Sequence, residues 1–386
     1  MDAGLVVWIG GAWWATASAV QWLSAALARR PRRETPPHHR IADFSIVAPM
    51  NGAADAAPAY VAALRALAEQ GAEVLICVAG PDDGVLAPLR AAWPQAPVLV
   101  GSDTTFNPKM NNVRKGLEAA RRPVVALCDA GILLEADTLC RAAAPLSDAG
   151  GSGTVGLVLA LKAAVAPGNF AAELECAYIN GHQARFLLAA DRLGLAVASG
   201  GVTLMSFDTL QRIGNWRGFN RWIADDYSVT RSVRELGLRT RLGDVMPPLP
   251  LGRRDGAVVW RRQVRWARTR LRLPVWPLVL WEPAIGWAAS GIAGLVALAA
   301  AGVGALGLLI GLVLHTAAWL AAEWWFTAGR RLSFNGRAAV AALVREALAP
   351  VLMLRALSGR RIDWRGTDLG GGWRSGVGNG PRETSA

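Results

Sequence analysis

Three apolar stretches, residues 5–27, 284–301 and 303–323, constrain what this chain can fold into. Each is close to the roughly 20 residues a helix needs to cross a bilayer. The second and third carry Gly and Ala throughout, which lets helices pack closely in lipid. Together they concentrate at the two ends the apolar excess of a 386-residue chain that is 53% hydrophobic. A soluble core held between membrane anchors fits that distribution, and an ordinary cytosolic domain does not.

The flanking charges orient the anchors. Arg29, Arg30, Arg32 and Arg33 follow the first stretch instead of preceding it, so a spanning helix fits better than a signal peptide. Positive-inside logic then puts the N-terminus outside and the chain from Arg29 onward in the cytoplasm, with Arg330 and Arg331 after the third stretch in agreement. Residues 275–282, with two tryptophans, suit a segment at the interface. Residues 340–357 hold Arg345, Glu346 and Arg355 and read as re-entrant or interfacial. The expected organisation is an N-terminal transmembrane helix (1–28), a Pro-rich linker (29–41), a cytoplasmic domain (42–272), a C-terminal membrane region (273–358) and a basic, Gly-rich tail (359–386). This describes a multi-pass protein of the inner (plasma) membrane. The net charge of +12 is then matched to an anionic membrane face, and no nucleic acid is expected as a partner. Cys77, Cys128, Cys140 and Cys176 show no CxxC pairing and read as reduced core residues.

From Phe44 short apolar runs alternate with helical stretches. Strands are expected at 44–50, 73–79, 97–101 and from Pro123, with helices near 58–70, 85–93 and 107–120. That order implies an α/β domain with a right-handed, mostly parallel sheet of nucleotide-binding type. Further elements are expected at 155–162 (strand), 170–189 (helix), 202–207 (strand), 224–236 (helix) and 258–272 (a basic helix). The run Pro123-Val-Val-Ala-Leu-Cys stops at Asp129, which presents its carboxylate at the edge where open α/β sheets bind ligands.

Four polar constellations stand out. Asp82-Asp83 ends a strand as Asp129 does, though a Pro-Asp turn has the same pattern. Asn107-Pro108-Lys109-Met110-Asn111-Asn112 opens a helix, where amides and a lysine favour phosphate oxygens or simply cap it. Asp225-Asp226 starts another helix, a position acids favour as dipole partners. Arg262 and Arg265 are three apart on one helix face beside Trp266, either a clamp for a diphosphate or a basic face touching anionic lipid.

In order, Asp83, Asp129, Asp226 and Arg262–Trp266 resemble the D, D, D, (Q/R)xxRW series of processive-type family-2 glycosyltransferases. Within them the chain resembles the ceramide glucosyltransferases, through Cys77-Val78, Asn107–Asn112, Cys128-Asp129-Ala130-Gly131-Ile132, Ile223-Ala224-Asp225-Asp226-Tyr227, His315, Trp319 and Trp364-Arg365-Gly366. Hopanoid-associated glycosyltransferases are similar in layout.

The resemblance implies a GT-A (nucleotide-diphospho-sugar transferase) fold plus N-terminal and C-terminal transmembrane helices. It also implies a UDP-sugar donor and inversion at the anomeric carbon. Asp83 would hold the uridine, and Asp129 the ribose, the diphosphate or a divalent ion. Asp226 would be the general base with Asp225 beside it on the acceptor side. Arg262, Arg265 and Trp266 would close over the diphosphate, with Lys109 and Asn112 adding donor contacts. His182, in Asn180-Gly181-His182, matches a histidine near the acceptor. Many family-2 enzymes carry Asp-x-Asp where this chain has Asp129-Ala130-Gly131, which leaves a Mg or Mn cofactor open. The implied reaction moves a hexose, glucose first, from a UDP-sugar to the hydroxyl of a membrane lipid, ceramide first. The alternatives are a hopanoid-type acceptor with a UDP-GlcNAc donor, a polysaccharide synthase, and a non-catalytic membrane scaffold.

Overall fold

A computed structural model describes residues 2–32, 35–100, 107–146, 153–197, 199–364 and 367–369. Arg33, Gly101, Arg365, Gly366 and the tail from Gly370 lie outside the described residues. The chain forms two compact units, one of Arg32–Ala163, Gly194–Pro250 and Arg361–Ala386, the other of Met1–Pro31, Ala164–Leu193 and Leu251–Arg360.

In chain order the elements begin with α1 (Ala3–Arg29), β1 (Phe44–Pro49), α2 (Pro58–Glu69), β2 (Glu73–Val78), α3 (Leu86–Ala92), β3 (Val98–Val100) and α4 (Pro108–Ala119). They continue with β4 (Val124–Cys128), α5 (Ala136–Ala143), β5 (Val155–Leu161), β6 (Ala163–Pro167), α6 (Phe170–Cys176), α7 (Ala184–Arg192) and β7 (Gly201–Ser206). Next come α8 (Phe207–Arg212), α9 (Asp225–Glu235), β8 (Arg239–Leu242), β9 (Pro248–Gly252) and α10 (Gly256–Arg270). The last long elements are α11 (Trp276–Trp281), α12 (Trp287–Ala300), α13 (Ala305–Gly329) and α14 (Gly336–Leu357).

The first unit is built on a seven-stranded sheet in the order β3-β2-β1-β4-β7-β5-β8. Strands β1 and β4 are buried almost throughout, as expected of central strands covered by helices on both faces. Ile46, Ala48, Ile76 and Ala126 pack with Tyr60, Leu64 and Leu67 of α2. On the other face α4 lies close against the sheet, because a Cβ on Gly116 would sit 2.3 Å from Val47 and 2.8 Å from Cys77 Sγ. Strands β1 to β4 are mutually parallel where they pair, and β5 pairs parallel with β8. The exception is β7, antiparallel to both β4 and β5. Two reversals leave β5 running with β4, so the C-terminal ends of β4 and β5 and the start of β7 meet on one sheet edge.

The second unit is helical. Among the described residues α1 (27 residues) and α13 (25 residues) are long and apolar enough to cross a membrane. The helix expected at 284–301 is shorter in the structure. Helix α12 has 14 residues, about 21 Å at 1.5 Å per residue, short of a bilayer core. Pro283 and Gly286 delay its start, and Gly302 at φ 81° ends it. The helix expected at 170–189 is continuous but changes winding, with a π-helical stretch at Ala177–Gln183 between α6 and α7.

Several polar side chains of this unit pair with one another. Trp14 Nε1 donates to His315 Nδ1 at 3.1 Å, so the opposite Nε2 donates to the Trp287 carbonyl at 3.1 Å, tying α1, α12 and α13 together. Arg345 forms two parallel bonds to Glu323, at 2.9 and 3.0 Å, and a third to Glu346 at 2.7 Å. Residues 164–193 and 251–272, which the sequence assigns to the 42–272 domain, pack with these helices.

Candidate active site

Where β4 ends, the chain turns at Ala130-Gly131, and Asp129 is left at the sheet edge with 29% of its side chain exposed. Lys109 reaches it from the first turn of α4. That turn is fixed by Asn107, whose side-chain oxygen accepts from the Lys109 and Met110 amides. Lys109 Nζ lies 3.2 Å from Asp129 Oδ1 and donates to Asp225 Oδ2 at 2.7 Å. One ammonium therefore joins a strand end to the first turn of α9, whose acids also meet the positive end of the helix dipole.

A Gly-Gly pair completes the edge. The Gly201 amide donates to Asp129 Oδ2 at 3.1 Å, and the Gly200 amide donates to Asp226 Oδ2 at 3.0 Å. Asp226 Oδ1 also accepts from the Tyr227 amide at 2.7 Å. Gly200 has φ +40°, and a Cβ there would lie 3.0 Å from Lys162 Nζ and 3.2 Å from Asp129 Oδ2. A Cβ on Gly201 would lie 2.3 Å from the Ala160 carbonyl oxygen. Lys162, the residue after β5, stands 3.8 Å from Asp129 Oδ2 and is 13% exposed. Three carboxylates and two ammoniums thus share one edge.

These neighbours set the titration. Burial works against the Asp129 carboxylate, yet the Lys109 and Lys162 ammoniums outweigh it and hold its pKa below the usual value. Burial pushes Asp226 up to about 6, and the Asp225 charge adds to the rise against the counter-effect of Lys109. One carboxyl kept ionised beside another poised near neutrality is an arrangement suited to proton transfer.

The structure brings Asp129, Asp225, Asp226 and Lys109 together. Asp83 takes a different position, at the β2 end of the same sheet. There its oxygens accept from the amides of Gly52 (2.8 Å), Ala79 (3.3 Å) and Val85 (3.0 Å). Asn112 is buried and donates to the Met50 carbonyl at 3.3 Å, anchoring α4 to the end of β1.

The remaining candidates belong to the helical unit. Arg262 is ion-paired with the buried Glu175, with Arg254 at 3.8 Å from the same carboxylate. Arg265 is half-buried one turn further along α10. Trp266 stacks on Tyr178, and Tyr178 stacks on His182, each pair with centroids 5.5 Å apart. His182 lies in the π-helical stretch, a type of distortion frequent at functional sites. Its Nε2 stands 3.8 Å from Glu282, which Arg270 also pairs at 2.5 Å. Against the penalty of burial, the Arg270 guanidinium and the hydrogen bond from His182 hold Glu282 down at about 2.

A family model described as glycosyl transferase family 21 matches residues 10–375. The chain belongs to glycosyl transferase family 21. Two curated relatives from Caenorhabditis elegans are similar to it. Ceramide glucosyltransferase 3 is 23% identical over 304 residues, 76% of this chain, and ceramide glucosyltransferase 1 is 22% identical over 313 residues, 78% of this chain. The chain spans 65% and 66% of the lengths of those relatives. A solved mannosyltransferase from Pyrobaculum calidifontis, in complex with GDP-mannose and Mn2+, superposes with a TM-score of 0.52 at 19% identity. That match covers 89% of this chain and 99% of the other. Its likeness supports the GT-A-like α/β fold with a mostly parallel sheet.

Sequence reading of this family 21 chain missed Lys162 and Gly200-Gly201. A lysine directly after the apolar run 155–161 was the available signal, the same one that singled out Asp129. The glycines carried none without knowing that β7 starts at the site. Glu175, Tyr178 and Glu282 were equally silent, each an ordinary residue of an amphipathic stretch.

Proposed function

We propose that this chain is an inverting glycosyltransferase that moves a hexose, glucose first, from a UDP-sugar to the hydroxyl of a membrane lipid, ceramide first. The observation that carries the reading is the convergence of Asp129, Asp226 and Lys109 on one sheet edge. Family membership and the ceramide glucosyltransferase relatives support it.

In this reading Asp226 is the base. The acceptor oxygen attacks the anomeric carbon while its proton passes to the Asp226 carboxylate. The bond from that carbon to the diphosphate oxygen breaks, and UDP departs with the electron pair. A base with a pKa near 6 is ionised at cytoplasmic pH and still basic enough to help. Asp225 stands on the acceptor side, and Asp129 and Lys109 face the donor. Asp83 holds the uridine. The arginines that follow α1 and α13 support a cytoplasmic site in this reading, where the donor is soluble and the acceptor is embedded in the membrane.

A Mg or Mn ion at Asp129 fits this donor set poorly. Both carboxylate oxygens already meet a lysine ammonium or an amide, and Ala130-Gly131 supplies no second acid. Among the described residues no three His, Cys, Asp or Glu side chains gather as a metal site. No step here passes through a metal.

The test is to incubate membranes containing the protein with labelled UDP-sugars and a panel of lipid acceptors. A glycosylated ceramide formed from UDP-glucose supports the reading. Transfer only to a polyprenoid-derived lipid, formation of a long polymer, or no turnover of any nucleotide sugar overturns it.

A further inference from the structure

The poor fit of a metal leaves a question of charge. A departing nucleoside diphosphate gains negative charge as its bond to the sugar breaks, and something must meet it. When Mg2+ does this, one or two carboxylates tether it and the phosphates complete its shell. At this edge the tether is Asp129, and cations of the chain's own already crowd it. Lys109 Nζ is 3.2 Å from one oxygen and Lys162 Nζ 3.8 Å from the other. A divalent ion placed there would face two like charges. Lysine ammoniums also bind phosphate as point charges.

We infer that Lys162, together with Lys109, supplies the counter-charge for the donor's diphosphate in place of a divalent cation. The inference rests on the nucleotide-sugar reading above. Lys109 approaches from the first turn of α4 and Lys162 from the end of β5, so the two reach Asp129 from different elements. Asp129 aligns them, and Gly200 leaves the space in which Lys162 Nζ and the carboxylate meet. When the donor binds, its phosphate oxygens join or replace the carboxylates as acceptors.

The experiment is calorimetric binding of UDP and of uridine to the purified full-length protein in detergent, with EDTA and again with Mn2+. Wild type, Lys162→Met and Lys162→Arg are compared, and thermal unfolding verifies that each variant is folded. The expected result is UDP affinity within about threefold in the two buffers. Lys162→Met weakens UDP ~10-fold or more in both buffers, as for loss of one charge-assisted bond, and leaves uridine unchanged. Lys162→Arg recovers most of the loss. UDP binding abolished by EDTA and restored by Mn2+ overturns the inference while leaving the transferase reading intact. So does a folded Lys162→Met protein with wild-type affinity for UDP. If wild type binds UDP in neither buffer, the nucleotide-sugar reading itself fails and takes this inference with it.

Discussion

The carboxylates of Asp129 and Asp226 hang from adjacent peptide amides, those of Gly201 and Gly200, at 3.1 and 3.0 Å. Two acids 97 positions apart in the sequence are thereby fixed by a single dipeptide at the start of β7. Most of what the proposed chemistry requires can be tested by disturbing that arrangement.

Gly200→Ala should strike the site before the fold. The new methyl would sit 3.0 Å from Lys162 Nζ and 3.2 Å from Asp129 Oδ2, on backbone at φ +40°. Backbone strain of this kind costs about 1–2 kcal/mol, a modest drop in melting temperature. Transfer should fall at least tenfold. Steady-state kinetics beside a thermal scan would separate the two effects, and unaltered kcat/KM would mean the dipeptide holds nothing that matters.

Asp225→Asn should move the pH profile downward. Burial and then the Asp225 charge lift Asp226 to about 6, so activity of the wild type rises with pH through that value. Removing the neighbouring charge lowers the midpoint of the acidic limb. The same shift has a stability consequence. Asp226 has a folded pKa above its unfolded one, so its stabilising contribution is present below about pH 4 and lost as pH rises through 6. Asp226→Asn should therefore melt higher than wild type at pH 7.5 and close to it at pH 4.

Lys109→Met should act in the opposite sense to Asp225→Asn. It strips the cation that pairs Asp129 and Asp225 and partly offsets the rise at Asp226. The acidic limb should move to higher pH, and maximal rate should fall ~10-fold or more. A rate profile superimposable on the wild type would remove Lys109 from the site.

Arg262→Ala should destabilise the protein whatever it does to catalysis. Its partner Glu175 has 1% of its side chain exposed, and stranding a buried carboxylate typically costs roughly 3–5 kcal/mol. Arg262 is itself 27% exposed and Arg254 remains 3.8 Å away, so about 2 kcal/mol is expected. Pairing the change with Glu175→Gln should return most of the loss. Chemical denaturation of the two proteins would decide it.

How much of this was legible in the sequence depends on the range of the forces involved. Strand runs such as Val124–Cys128 announce themselves because burial on both faces demands unbroken apolar residues, and Asp129 stands out against them. Asn107 and Pro108 mark the start of α4 by local capping chemistry. The reversal of β7 leaves no such local trace. Its sequence, Gly-Val-Thr-Leu-Met-Ser, says nothing of direction, and only pairing with β4 and β5 fixes it. Lys162 and Gly200-Gly201 matter because of that pairing, so they were invisible before it. Helix α12 is shorter than its apolar stretch, with Pro283, Gly286 and Gly302 at its boundaries, which composition alone does not weigh. Likewise α6 and α10 carry amphipathic patterns that specify a buried face without naming the partner it meets.

The central claim is that Asp226 accepts a proton from the acceptor hydroxyl, and the direct measurement is transfer by Asp226→Asn. With purified protein, UDP-glucose and ceramide, UDP release and glycolipid formation should match one to one in the wild type. In the variant both should fall ~10²–10⁴-fold while UDP still binds. An Asp226→Asn protein that keeps wild-type transfer would contradict the account.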